Sequence, residues 1–482
     1  MTAVMIDHTH SSFDNLSQVL DVQKQAFAEN PMPNADERIA KLKKLNYAVL
    51  DYKDQLIEAV SADFSNRSSA ETMMVEILAA LEGIAYNKKH LRKWMKAQKR
   101  HVPLSLKPSR VEVRYQPLGV IGIVVPWNFP IFLGLSPLIG ALAAGNRAMI
   151  KTSEFAPKTS TVMKEMLGSI FDENEVAVVE GDVEVSSAFT KLPFDHLVFT
   201  GATSVGKLVM KSAAENLTPV TLELGGKSPA IIHDSYSAKE AAKRLAFGKA
   251  INAGQVCVSP DYVFCHHSQV EEFCEAFSEV FSSRYPSMKN NQDYTAIINE
   301  RQLHRLQQYL QDAEDKGATL IEINPANEDF SGTRKMPMTL VLNPTTDMLV
   351  LQEEIFGPIL PVITYSDMSE VTEYVQAGER PLALYYFDDD QRRGNQLLDT
   401  THSGGACIND SMIHVMADDI PFGGVGASGM GHYHGREGFL NFSKAKGVVK
   451  KGKIDLASMI SAPWDNKMFN LLVKFRLWRY SR

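Results

Sequence analysis

The feature that most constrains the fold is a run of short apolar segments spaced by helical stretches, from Val120 to Leu224. Val120–Val125, Ala148–Ile150, Val176–Val179, His196–Phe199 and Val220–Leu224 read as strands. Between them Pro157–Ile170 and Ser204–Ala214 carry helical apolar spacing. Strands that alternate with helices are expected to form a mostly parallel sheet, so the chain is predicted to be α/β. A second series of the same kind begins near Ala230 and runs to about Gly423. Upstream, Ile39, Leu42, Leu45 and Val49 recur at helical steps, as do Met74, Ile77, Leu78, Leu81 and Ile84. Val111–Tyr115 alternates strictly, with Glu112 and Arg114 on the other face, as a half-buried strand does.

At 482 residues the chain has room for two or three domains, each with a full core. A net charge of −7 leaves no basic surplus for binding nucleic acid. The four cysteines lack disulfide-framework or metal-site spacing, which points to a reducing compartment and a cytoplasmic protein. No metal is expected. The first fifteen residues do not read as a signal peptide, and no run of 18 apolar residues is present.

Sheets of this kind bind ligands beyond the carboxyl ends of their strands. Three segments fall there: Pro126–Pro130 with Trp127 and Asn128, Lys151–Glu154, and Gly201–Lys207 with Gly201, Ser204 and Gly206. The last can present backbone amides to a pyrophosphate at a helix N-terminus, although a glycine pair at this spacing also marks ordinary tight turns. Cys257 follows a helix end at Gly254 and precedes Pro260, and Glu223 precedes Gly225-Gly226. Together they supply a nucleophile and a carboxylate base. A cysteine of ordinary pKa is only about 3% thiolate at neutral pH, so Cys257 needs help from its surroundings. Cys265, at the end of an apolar run, and Cys274, on a helical pattern, read as buried packing residues.

The ordered segments PWNFP, KTSE, FTGATSVGK, LELGGKSP, GQVC and EEIFGP, spread between Leu118 and Val449, resemble the aldehyde dehydrogenase superfamily. Gly405–His414 and Ile420–Phe442 resemble its class 3 branch, which includes fatty, benzylic and coniferyl aldehyde dehydrogenases. The resemblance implies a Rossmann-like cofactor domain (1–100 and 118–225) and an α/β catalytic domain (226–425). A small bridging and oligomerisation sheet (101–117 and 438–455) and a tail (456–482) complete it.

It further implies that Cys257 attacks the aldehyde, that Asn128 stabilises the oxyanion and that Glu223 activates the water that hydrolyses the thioester. Trp127 belongs to the cofactor site. Lys151 and Glu154 match positions that hold the adenosine ribose, and Glu354 and Phe356 match those that hold the nicotinamide ribose and ring. A carboxylate at Glu154 favours NAD over NADP without excluding NADP. The sequence departs from the superfamily at Thr152, often Pro, and at Ala202, often Ser, so phosphate binding leans on backbone amides.

The implied function is oxidation of an aldehyde, aromatic or medium to long aliphatic, to the acid, by a homodimer. A CoA-acylating dehydrogenase and a non-catalytic binding protein on the same scaffold are the alternatives, and Glu223 argues against the first. Around Met468–Arg482 charged and apolar residues are poorly segregated, which favours packing on the protein's own surface over a lipid interface.

Overall fold

The computed structural model describes residues 8–103, 106–453, 462, 464 and 466–481. Contacts divide it into two compact units: residues 1–94 with 117–443, and residues 95–116 with 444–482.

The first unit contains two sheets. Six strands stand in the order Gly429–Met430, Val220–Glu223, His196–Thr200, Val120–Val124, Arg147–Lys151, Val176–Val179. All pairings are parallel except that of Gly429–Met430. Seven strands form the other sheet, in the order Thr319–Ile323, Met338–Leu342, Ile359–Tyr365, Tyr262–His266, Pro229–Ile232, Ala383–Phe387, Gly405–Ile408. Only Thr319–Ile323 runs antiparallel there. Strands buried on both faces need apolar side chains at consecutive positions. Val120–Val124 and Ala383–Phe387 are buried throughout, as that rule requires. Helices Pro157–Gly168 and Thr203–Ala214 lie where the spacing places them, within two residues at each end.

One helical reading needs correction. Met74 and Leu78, assigned to the buried stripe with Ile77 and Ile84, are exposed. The segment Met73–Leu78 is a π-helical turn, which adds residues to the turn and shifts the register. The shift brings Glu76 fully inside. The terminal helix Lys467–Tyr480 has no buried residue. Its apolar side chains point all round the helix, so no single apolar face exists to pack. Arg482 lies outside the described residues.

In the second unit, strands Gln98–Lys99, Arg110–Pro117 and Ser443–Lys450 form one sheet with Arg110–Pro117 in the middle. Glu112 holds both Arg114 and Lys450 at 2.7 Å, which lowers its pKa through those two hydrogen bonds.

Candidate active site

Cys257 stands at the meeting of two cavities. One, about 900 Å3, is walled by Trp127, Asn128, Gly201, Ser204, Glu354 and Phe356 among others. The second, about 180 Å3, is lined mainly by apolar side chains including Phe129, Phe132, Phe247, Phe422 and Met412. Cys257 and Glu223 wall both. Lys151, Glu154 and Gly206 wall neither. Lys151 is buried and its ammonium donates to the Thr152 carbonyl at 2.6 Å and the Gly181 carbonyl at 2.8 Å. Gly206 packs its helix against the strand that precedes Gly225, since a β-carbon there would lie 2.7 Å from Leu224.

The loop that presents Cys257 is held from several sides. Asn252 and Ala253 have left-handed φ of 51° and 49°, and Gly254 has φ 74° with no room for a β-carbon beside the Gly357 carbonyl. Asn252 Nδ2 donates to the carbonyls of Asn128 and Gln255, each at 3.1 Å. The Asn128 side-chain amide donates to Gln255 O at 3.2 Å. An amide nitrogen has two N–H groups, so one remains for an oxyanion beside Cys257.

Behind this loop lies a buried network that no sequence pattern announces. Arg67 Nη1 donates to the Asn128 carbonyl at 2.9 Å and pairs with Glu76 at 3.0 Å. Glu76 also accepts the backbone N–H groups of Ile131 at 2.8 Å and Phe132 at 3.0 Å, and Glu71 accepts that of Asn252 at 2.8 Å. Arg67 is an isolated arginine in Asn66-Arg67-Ser68, with nothing in its spacing to mark it.

The far wall is clamped as well. Lys227 binds Asp261 and donates to the carbonyls of Val350 and Glu353, both at 2.9 Å, while Arg305 donates to the carbonyls of Glu354 at 3.1 Å and Ile355 at 2.6 Å. These bonds fix the turn in which Phe356 has φ 51° and meets Trp127 edge-on, ring centroids 5.3 Å apart. Glu354 accepts from Gly226 N at 3.2 Å.

Burial and neighbouring carboxylates disfavour negative charge in the cleft. Burial first, then the carboxylates of Glu354 and Glu223, push the Cys257 thiol up to about 12. The backbone N–H groups of Cys257 and Val258 pull the other way. Burial alone holds the Glu223 carboxyl well above the usual range, and neither of its oxygens has a hydrogen-bond partner. Burial and Asp261 push Glu354 up to about 8. The sequence asked for a neighbour that would ionise Cys257; the protein's own side chains do the reverse, and only the local backbone amides help.

The larger cavity suits a dinucleotide. Its volume, the backbone at Gly201–Ser204 entering helix Thr203–Ala214 without a side-chain cap, and the Trp127–Phe356 pair beside Cys257 all fit such a ligand. Gly225 matters here because a β-carbon would overlap the Glu354 carboxylate.

Comparison with known proteins agrees with this geometry. A profile of the aldehyde dehydrogenase family matches residues 3–448. A probable coniferyl aldehyde dehydrogenase of Pseudomonas aeruginosa is 53% identical over 469 residues, covering 97% of this chain and 98% of the relative. A coniferyl aldehyde dehydrogenase of a Pseudomonas species is 44% identical over 462 residues, covering 95% and 96%. Among solved structures, substrate-bound AldH of Staphylococcus aureus superposes with a TM-score of 0.89 at 36% identity, covering 95% of this chain and 99% of that one. An aldehyde dehydrogenase of Mycobacterium tuberculosis complexed with NAD+ has a TM-score of 0.82 at 26% identity, covering 90% of each.

The chain belongs to the aldehyde dehydrogenase family. It is an oxidoreductase that uses a nicotinamide dinucleotide, NAD or NADP, to oxidise an aldehyde. No helix among the described residues is long and apolar enough to cross a membrane.

Proposed function

We propose that this protein is an NAD-dependent dehydrogenase of aromatic aldehydes of the coniferyl type, working as a homodimer through a Cys257 thioester. The observation that carries the reading is that Cys257 and Glu223 stand in the wall common to a large cleft and a small apolar one. An aldehyde entering from the apolar side brings its carbonyl to the sulfur while its ring rests among Phe129, Phe132, Phe247 and Phe422. The names of the Pseudomonas relatives support coniferyl aldehyde as the model substrate.

Cys257 adds to the carbonyl carbon, and the Asn128 amide with the Cys257 backbone N–H stabilises the developing oxyanion. When bound, the nicotinamide dinucleotide supplies the hydride acceptor. Glu223 then takes a proton from water, which attacks the thioester carbonyl; the C–S bond breaks, Cys257 is freed and the acid departs. A thiol acceptor such as CoA would need no such base.

Lys151 and Glu154 serve the adenosine ribose from the next loop along, and Glu354 and Phe356 the nicotinamide ribose and ring. The exposed strand face of the smaller unit pairs with a second subunit.

Absorbance of NADH, measured with coniferyl, benzylic and long aliphatic aldehydes and with either dinucleotide, tests the reading. The expected result is the highest kcat/KM with the aromatic substrates and NAD, without CoA. A strict CoA requirement, or preference for long aliphatic aldehydes, overturns it.

A further inference from the structure

Glu223 has no proton partner among the residues assigned to the reaction. Both its oxygens are buried and unbonded, a costly arrangement for a group that must cycle between charged and neutral forms. Nδ1 of His432 is likewise buried and unbonded, as is the hydroxyl of Tyr433. Gly423 lies beside both Glu223 and His432. A β-carbon there would lie 3.1 Å from Glu223 Oε1 and 2.7 Å from His432 Nδ1, and would overlap the Gly431 carbonyl. With no side chain at residue 423, Glu223 Oε1 and His432 Nδ1 lie no more than about 6 Å apart, a span that one water can bridge.

His432 reaches this place through the strand that ends the six-stranded sheet. Gly429 pairs with Glu223 and Met430 with Leu222, so the chain turns back over the base just as it reaches residue 432. The residue is only half-buried although its Nδ1 is fully enclosed. An imidazole so placed has one nitrogen toward the base, and the rest of the residue reaches toward solvent.

We propose that His432 is a positioning residue for Glu223: through one bridging water it orients the carboxylate and takes away the proton that Glu223 removes from the hydrolytic water. The proton balance closes. Water loses one proton to Glu223 as its oxygen bonds to the acyl carbon, and Cys257 leaves. Glu223 passes that proton through the bridging water to Nδ1, the imidazolium releases one from its other nitrogen to solvent, and a turn of the half-buried ring brings a free nitrogen back to the water. The cycle thus ends with the carboxylate and the neutral ring restored. The ionisable groups near this pair are His434, beside His432, and Tyr433 and Cys257, beside Glu223. His434 is held neutral by burial, its pKa lowered to about 4, and Tyr433 is held protonated, so neither competes for the proton at neutral pH.

The inference rests on Glu223 as the deacylating base, and its test separates the two. Hydrolysis of the acyl-enzyme is followed by rapid quench with an aromatic aldehyde and NAD, across neutral to alkaline pH, in wild type, Glu223→Gln, His432→Ala and His432→Gln. We expect both His432 variants to form NADH in the first turnover at the normal rate and to hydrolyse the acyl-enzyme on the order of tenfold or more slowly. The rising limb of hydrolysis should move to higher pH, kcat/KM for the aldehyde should stay put because acylation is untouched, and imidazole buffer should restore His432→Ala. His432→Gln can still bond to the bridging water but cannot carry a proton, so it tests the relay if the alanine variant fails to fold. Hydrolysis and pH limb unchanged in a folded His432 variant, with Glu223→Gln slow, overturns the proposal alone. Normal hydrolysis in Glu223→Gln overturns the reading of Glu223 and this inference with it.

Discussion

Arg67 and Glu76 form an ion pair 3.0 Å long with both side chains fully buried, and the same guanidinium holds the Asn128 carbonyl. Burial raises the Glu76 carboxyl, opposed by Arg67 and two backbone N–H groups. Removing one partner leaves an uncompensated buried charge, whereas removing both does not. Arg67→Met should therefore destabilise the protein by about 3–5 kcal/mol, and adding Glu76→Met should recover part of that loss. Urea unfolding of the two single variants and the double variant checks this. Strictly additive losses would show that the pair is not coupled.

Cys257→Ala should abolish NADH production and leave dinucleotide binding within about twofold, because the sulfur is only one small part of the wall of the cleft that holds the ligand. Glu223→Gln should instead give one NADH per site in a fast phase, followed by turnover slower by about 10²–10⁴-fold, the usual worth of a general base. Stopped-flow absorbance distinguishes the two. A glutamine variant with neither phase would place Glu223 earlier, as the group that deprotonates Cys257.

Both reacting groups work in their deprotonated forms, and burial raises both pKa values: Cys257 up to about 12, Glu223 well above its ordinary range. Each active fraction therefore grows as pH rises toward the folded pKa. Turnover should climb from neutral into alkaline pH. Glu354, pushed up to about 8, becomes a carboxylate over the same interval and opposes the thiolate. In the ligand-free protein Glu354→Gln should thus speed alkylation of Cys257 by iodoacetamide above pH 8 and change it little below. A uniform change at every pH would mean that the Glu354 charge is not the cause.

The sheets were legible because consecutive apolar residues in Val120–Val124 and Val176–Val179 have few other uses, and the glycine-rich turns followed from the strands. Cys257, Glu223, Asn128, Glu354 and Phe356 were named from local strings, and the structure brings them to one cleft. What sequence could not give was anything set by distant packing. The π turn at Met73–Leu78 leaves the apolar spacing intact while it changes which residues face in. Arg67 lies 61 residues from the carbonyl it holds. His432 lies within Ile420–Phe442 with nothing local to mark it, because its meaning depends on the antiparallel return of Gly429–Met430 past Glu223.

Cofactor choice tests the role of Glu154. Glu154 follows strand Arg147–Lys151, half-buried, near enough to Lys151 to raise its pKa against burial, yet outside the walls of the larger cavity. A carboxylate that faces the ribose would accept a hydrogen bond from its 2′-hydroxyl and repel a 2′-phosphate. Replacing it removes one charge-assisted bond for NAD and one repulsion against NADP. Glu154→Ser should therefore raise KM for NAD, lower it for NADP, and move the preference by about 2–4 kcal/mol. The wild type should favour NAD. Measured kcat/KM ratios unchanged by the substitution, or favouring NADP in the wild type, would mean that the carboxylate does not face the ribose and that another residue reads the 2′ position.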